Sequence, residues 1–237
     1  METFADKIIG FNEALDFSGI LPEGISIMNP FRDNENILPV SSAFYRKYYS
    51  DQLPRHLILG INPGRFGAGV TGIPFTDPKR LIEKCGIAYH GEMKHEPSSV
   101  FIYEMIDAFG GPVAFYEKFY INSVCPLGFT ATGNNGKEVN CNYYDFLPPG
   151  RAAVSSPVYG FIVENIQKQI GMGVETDICY CFGNGKNEKF LRTLNAEKHF
   201  FGKIIALEHP RFVMQYKARS KPLYIDKYLS AFNQISC

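Results

Sequence analysis

Short apolar runs and longer helical repeats of apolar residues alternate along the chain. The short runs predict buried strands, and they cover 56–61, 119–124, 177–182 and 203–207. Around them, apolar residues at helical spacing predict helices, which cover 4–17, 41–49, 79–85, 98–109, 157–170, 187–194 and 222–232. The segments 21–36 and 130–150 are rich in Gly, Asn and Pro, which predicts irregular structure.

Strands that alternate with helices predict a mainly parallel sheet covered by helices on both faces. We therefore expect an α/β fold, a three-layer α/β/α sandwich around a central four-stranded sheet. The 237 residues suffice for one such domain, and no repeat or linker divides them. We expect residues 1–237 to form a single domain, with residues 1–52 as a helical N-terminal extension packed on it.

Polar residues and glycines follow the predicted strands. In an open α/β sheet the carboxyl ends of the strands meet at one edge, where the ligand crevice lies. The segments at these ends are Asn62-Pro63-Gly64, Asn122-Ser123, Gly183-Asn184-Gly185 and His209-Pro210. The sequence therefore predicts that amides and an imidazole converge on one cleft.

The segment after the first predicted strand is the most informative part of the chain. It reads Gly60-Ile61-Asn62-Pro63-Gly64-Arg65-Phe66-Gly67 and continues to Thr71-Gly72-Ile73-Pro74-Phe75. Its closely spaced glycines and prolines predict a loop with a defined backbone conformation, in which peptide groups can come close to a small planar ligand. Asn62 supplies an amide and Phe75 an aromatic ring, a pair that suits recognition of a nucleobase.

Composition and missing motifs narrow the range of functions. The formal net charge is zero, so a polyanion would have to be bound by a local patch. The six cysteines form no CxxC pair, and we interpret them as reduced structural thiols rather than metal ligands. We expect no metal and no cofactor. The chain shows no P-loop and no GxSxG nucleophile motif, and Gly60-x-Asn62 does not extend to a dinucleotide-binding GxGxxG.

Targeting signals are also missing from the sequence. Acidic residues interrupt the apolar positions near the N-terminus, and no apolar run has the length of a membrane span. We therefore expect a cytoplasmic protein with no membrane partner.

Three strand-end segments together resemble the uracil-DNA glycosylase superfamily. They are Gly60 to Phe75, Asn122 to Leu127 and His209-Pro210. Within the superfamily the likeness is nearest to the single-strand-selective monofunctional uracil-DNA glycosylase branch. The resemblance implies that superfamily's fold. It also implies an enzyme of base excision repair that hydrolyses the N-glycosidic bond of uracil, or of another deaminated or oxidised base, flipped out of DNA.

The resemblance also implies roles for single residues. Asn62 would orient the attacking water, and His209 would hydrogen-bond the base as negative charge builds on it. Phe75 would stack on the flipped base, and Asn122 would read its edge. The loop residues that would help to hold the base are Gly64, Phe66 and Gly67.

Cations and large apolar groups are combined in the segment from Arg211 to Lys221. We expect this segment to be a loop that binds DNA phosphates through its cations and inserts an apolar side chain between stacked bases. Its DNA contacts would be Arg211, Phe212, Lys217 and Arg219. The protein would act as a monomer on single- or double-stranded DNA that carries a damaged base.

Three functions are compatible with this pocket. A monofunctional glycosylase is favoured because no lysine lies in the strand-end motifs to form a Schiff base with the sugar. The alternatives are a non-catalytic nucleobase or nucleic-acid binding module and a hydrolase of free nucleosides. Uracil, hydroxymethyluracil, xanthine and hypoxanthine are all candidate bases.

Overall fold

The computed structural model describes residues 1–133, 136–148 and 150–234, with the side chains of 150–152 left out of the description. The helices in these residues are α1 (Phe4–Glu13), α2 (Pro30–Asp33), α3 (Ile37–Tyr48), α4 (Ala68–Thr71), α5 (Pro78–Glu83), α6 (Pro97–Phe109), α7 (Pro112–Lys118), α8 (Tyr143–Phe146), α9 (Pro157–Gly171), α10 (Lys186–Lys198), α11 (Pro210–Tyr216) and α12 (Lys221–Phe232). The strands are β1 (Ile25–Met28), β2 (His56–Gly60), β3 (Phe119–Ser123), β4 (Gly128–Thr132), β5 (Glu138–Cys141), β6 (Glu175–Phe182) and β7 (Lys203–Leu207).

The central sheet has four parallel strands in the order β3-β2-β6-β7. These are the strands that the apolar runs predicted, with every end within two residues of its predicted position. The helices predicted from apolar spacing are also present, and their ends differ by at most four residues. The predicted mainly parallel sheet is therefore confirmed.

Helices cover both faces of this sheet, as an α/β/α sandwich requires. On one face, Phe119 of β3 and Tyr180 of β6 pack against Phe232 of α12, with ring centroids 4.7 and 5.0 Å away. On the other face, Tyr120 of β3 packs edge-on against Phe4 of α1 at 5.6 Å. We call these the α12 face and the α1 face. Because side chains alternate along a strand, the register assigns every residue of the sheet to one of them.

A second sheet of three antiparallel strands, in the order β1-β4-β5, was not predicted. The prediction that 21–36 and 130–150 are irregular is therefore wrong in the parts of these segments that the structure describes. Each strand has only four or five residues, and the residues of β5 are mostly exposed, so no apolar alternation marks them. The short helices α2, α4, α7, α8 and α11 were also missed.

The remaining sequence predictions about cysteines and membranes concern the whole fold. Cys85, Cys125, Cys141, Cys179 and Cys181 are free thiols, and Cys237 lies outside the described residues. Within the described part of the chain, no helix combines the length and the apolar character that crossing a membrane demands.

Gly72 allows the loop after β2 to fold back on α3. Its φ is +72°, and a Cβ atom there would lie 2.7 Å from Ile37 Cγ2 and 2.8 Å from Phe31 Cε1. We expect Gly72→Ala to lower the free energy of unfolding by about 2–3 kcal/mol, because left-handed strain adds to overpacking. Urea denaturation measures this loss.

Gly24→Ala is the matched control for this substitution. Gly24 has a similar φ of +79°, but no atom lies within 4 Å of a Cβ placed there. Only the backbone strain should remain, at about 1 kcal/mol. Equal losses in the two variants would show that packing against α2 and α3 contributes nothing at Gly72.

Candidate active site

The carboxyl ends of the four central strands meet at one edge of the sheet, as predicted. Gly60 at the end of β2 pairs with Ser123 at the end of β3, and Phe182 at the end of β6 pairs with Leu207 at the end of β7. Asn62, Gly183 and His209 follow these ends within two residues.

The ring of Phe75 lies over the end of β2 on the α12 face. A Cβ atom on Gly60 would approach Phe75 Cε2 to 3.0 Å, so a hydrogen is all that this position accommodates without movement of the ring. The ring centroid lies 5.6 Å from those of Phe182 and His209. The structure thus brings the rings of Phe75 and His209 together at this edge of the sheet.

Phe75 also has an unusual backbone conformation. Its φ is +54°, a value that few residues other than glycine adopt. Such strain persists only where the surroundings hold it in place, and it is found preferentially at functional sites.

Main-chain groups of β5 and α8 hold the side chain of Asn62. Its Nδ2 donates to the carbonyl of Cys141 at 3.2 Å, and its Oδ1 accepts from the N–H of Tyr143 at 3.2 Å. Nδ2 also lies 3.4 Å from the carbonyl of Pro63. Because a carbonyl oxygen has two lone pairs, Oδ1 retains one for a further donor such as water.

His209 caps the first turn of α11 through its ring. Nδ1 accepts a hydrogen bond from the N–H of Arg211 at 3.1 Å, so the neutral ring carries its proton on Nε2. Burial, and secondarily the Arg211 guanidinium, lowers the pKa of His209 to about 4. At neutral pH the ring is therefore an uncharged N–H donor.

Asn122 does not lie beside Phe75, contrary to the prediction. In β3 it pairs with Leu59 and lies on the α1 face, on the same side as Tyr120. Its Nδ2 donates to Tyr120 Oη at 2.7 Å, and its Oδ1 accepts from the N–H of Ser123 at 2.8 Å. The structure therefore corrects the base-reading assignment, because strand alternation turns this amide away from the ring.

Ser123 is the residue of β3 that faces the pocket. It pairs with Gly60, whose side-chain direction points at the Phe75 ring, so the Ser123 side chain lies on that same face. Sequence reasoning did not select Ser123, because it assigned the base-reading role to the neighbouring amide of Asn122. Counting alternate positions from Phe119, on the α12 face, would have found it.

Residues 64–67 form a tight turn between β2 and α4, which we call the glycine turn. The N–H of Arg65 donates to Asn140 Oδ1 at 3.3 Å, which ties the turn to β5. Phe66 is 41% exposed, and the cations of Arg65 and Lys94 lie 5.2 and 5.9 Å from its ring centroid. The N–H groups of Phe66 and Gly67 have no acceptor among the described residues.

The segment after His209 is helical in its first part, not the loop that was predicted. α11 covers Pro210–Tyr216, and Phe212 and Tyr216 form an exposed ring pair 5.5 Å apart on its surface. A proline at the first helical position and the His209 cap explain why a helix begins there. The exposed cations of this surface are Arg211, Lys217 and Arg219.

These groups can together act on a flat heterocycle. The pocket offers an aromatic face, an uncharged N–H donor, free main-chain N–H groups and an amide oxygen that can accept from water. In the described ranges, no cluster of His, Cys, Asp and Glu side chains is arranged to hold a metal ion.

Comparisons with known proteins show the family and the fold. The family model for the uracil DNA glycosylase superfamily matches residues 46–233. A crystal structure of wild-type SMUG2 from Pedobacter heparinus is 62% identical in sequence and covers 98% of each chain, with a TM-score of 0.93. No match was found among curated proteins.

Proposed function

The chain belongs to the uracil-DNA glycosylase superfamily, and we propose that it is a monofunctional DNA glycosylase that hydrolyses the N-glycosidic bond of uracil or a related deaminated base. The observation that carries this proposal is the meeting of Asn62, Phe75 and His209 at one edge of the sheet. Release of the base would be the first step of base excision repair.

The proposed reaction begins with a base outside the DNA stack. A base within a duplex is out of reach, so it must be flipped, at a cost of a few kcal/mol. Stacking on the Phe75 ring would compensate part of this cost. Because an unpaired base is cheaper to flip, we expect release from single strands to be at least as fast as release from duplexes.

His209 and the glycine turn would stabilise the leaving base. Cleavage of the bond leaves negative charge on the base and positive charge on the sugar. The Nε2–H of His209 would donate to a carbonyl oxygen of the base as this charge develops, and the N–H groups of Phe66 and Gly67 would add further donors. Donors fixed before the reaction need no reorganisation when the charge appears, which makes them effective.

Asn62 would position the nucleophile. Its Oδ1 would accept a hydrogen bond from a water molecule and direct the water oxygen at C1′ of the sugar. An amide is not a strong base, so the water would attack a sugar that already has cationic character. The bond between C1′ and the base would break ahead of the bond to water, its electron pair would leave with the base, and the proton that the water loses would pass to solvent or to the base anion.

Ser123 would take the base-reading role first expected of Asn122. Its hydroxyl can donate or accept, so it fits more than one base edge. The surface of α11, with Phe212 and the cations Arg211, Lys217 and Arg219, would contact the DNA backbone beside the flipped base.

A panel of oligonucleotides tests this proposal. Each carries uracil, hydroxymethyluracil, xanthine or hypoxanthine, in single- and double-stranded form, and abasic sites are detected by alkaline cleavage. We expect release of at least one base and no strand cleavage without alkali, because no lysine lies in the strand-end segments to form a Schiff base with the sugar.

Two other outcomes would replace the proposal. Tight DNA binding with no release of any base would indicate the non-catalytic binding module. Hydrolysis of free nucleosides but not of oligonucleotides would indicate a nucleosidase.

A further inference from the structure

Glu96 points away from its own helix and toward the glycine turn. It directly precedes α6 but makes no side-chain cap to it. A Cβ atom on Gly67 would lie 2.0 Å from Glu96 Oε2, and one on Gly64 would lie 4.0 Å from Oε1. The carboxyl group therefore occupies the space that a side chain at position 67 would need and lies within contact distance of position 64.

One oxygen of this carboxyl group has no partner. Glu96 Oε2 is buried, and no hydrogen bond reaches it from the described residues. A buried carboxyl oxygen without a partner costs free energy, so its persistence next to a pocket points to a ligand that completes it.

The charges around Glu96 come from two neighbouring segments. Asp77 directly precedes α5, and its side chain is fully buried. Its carboxylate accepts a hydrogen bond from the main-chain N–H of Glu96 at 3.1 Å. It also lies 3.2 Å from the Arg80 guanidinium and 3.5 Å from Nδ1 of His95. Burial and the Asp77 charge raise the pKa of Glu96 to about 7, against the opposing effect of Arg211 from α11. Near neutral pH the group is therefore present in both the acid and the carboxylate form.

We propose that Glu96 is a specificity-determining residue that contacts the flipped base through its carboxyl group. The inference rests on the proposed function, since the glycine turn is where the base would be held. As an acid, the group has one O–H donor and one C=O acceptor on the same side. This pair matches a lactam edge, in which a ring N–H stands beside a C=O, and it would select oxopyrimidines and oxopurines over bases with an amidine edge.

The proposal predicts a dependence of base release on pH. Below about pH 7 the acid makes both hydrogen bonds to the base. Above it, the carboxylate loses its donor and places negative charge beside a base that is itself becoming an anion. Release should therefore slow as the pH rises through 7, while the low pKa of His209 keeps that donor neutral down to about pH 4.

Two substitutions separate the contact from the charge. Glu96→Gln keeps one donor and one acceptor at every pH, so we expect release close to wild type at about pH 6 and no decline up to about pH 8.5. Glu96→Leu removes both groups at similar size, so we expect kcat/KM to fall by roughly 10- to 100-fold. Glu92→Gln, at an exposed carboxylate of the same segment, is the matched control and should keep the wild-type pH profile.

A binding measurement tests the contact without catalysis. The side-chain carboxyl carbon of Glu96, assigned with Glu96→Gln, is followed by NMR while free uracil, hypoxanthine or adenine is added. We expect uracil or hypoxanthine to shift this resonance and its titration midpoint, and adenine, which lacks a lactam edge, to leave both unchanged.

The outcomes distinguish this inference from the proposed function. If the wild type releases a base and Glu96→Leu retains its kcat/KM and pH profile, the role of Glu96 is overturned and the glycosylase stands. The role of Glu96 is also overturned if uracil or hypoxanthine binds and the carboxyl resonance of Glu96 does not shift. If the wild type neither releases nor binds any base, the proposed function fails and this role fails with it.

Discussion

Replacing Asn62 by alanine should lower the single-turnover rate of base release by at least about 10³-fold, because the water then loses the acceptor that directs it at the sugar. DNA affinity should change little, since Asn62 faces the second sheet and not the α11 surface. Rapid-quench release from a uracil oligonucleotide gives the rate, and fluorescence anisotropy of the same oligonucleotide gives the affinity.

The control for this prediction is another asparagine, Asn233→Ala, at the exposed end of α12. Asn233→Ala should leave both the rate of base release and the DNA affinity unchanged. Asn62→Ala removes bonds to Cys141 and Tyr143, so its unfolding is compared with wild type, and we expect a loss of about 1–2 kcal/mol that leaves it folded. Release at the wild-type rate from folded Asn62→Ala would remove Asn62 from the mechanism.

Replacing His209 by alanine should raise the barrier to base release by about 3–4 kcal/mol, which is roughly 10²- to 10³-fold in rate, by analogy with the loss of one oxyanion-hole donor. The physical reason is the Nε2–H, which the hydrogen bond at Nδ1 fixes as a donor toward the pocket. Single-turnover kinetics of base release, on the oligonucleotide from which the wild type releases its base fastest, give the ratio of the two rates.

A second substitution separates the donor from the helix cap. Asparagine also caps helices well, so His209→Asn should preserve the start of α11 and still lose most of the rate. His199→Asn serves as the control, because His199 is an exposed histidine with φ of +53° that asparagine tolerates. If His209→Asn and wild type release the base equally fast, the imidazole acts only as a cap.

The four central strands and the residue types at their ends were predictable because they depend on local pattern. The apolar run 56–61 and the three runs after it are too short and too buried for anything but a parallel sheet, and such a sheet gathers its carboxyl ends. The sequence therefore indicated that Asn62 and His209 follow strand ends at this edge, and the structure has them there. The spacing of glycines and prolines indicated a loop before Phe75, whose ring lies at the same edge.

The second sheet and the short helices were not predictable from local pattern. β5 is mostly exposed and has no apolar alternation, and it forms because β4 offers it hydrogen bonds from another part of the chain. This sheet supplies Cys141 to hold Asn62 and Asn140 to hold the glycine turn. Two of the hydrogen bonds that support the site therefore come from a segment that the sequence alone indicated as irregular.

By itself the sequence determined the fold class, the family resemblance and the edge of the sheet where chemistry occurs, because hydrophobic period and turn residues are local properties. The tertiary structure decided which side chains reach the pocket. A shift of one residue along β3 separates Asn122 on the α1 face from Ser123 on the face of Phe75. Only folding brings Glu96 against Gly67, because that contact joins segments far apart in the chain through packing that no local pattern encodes.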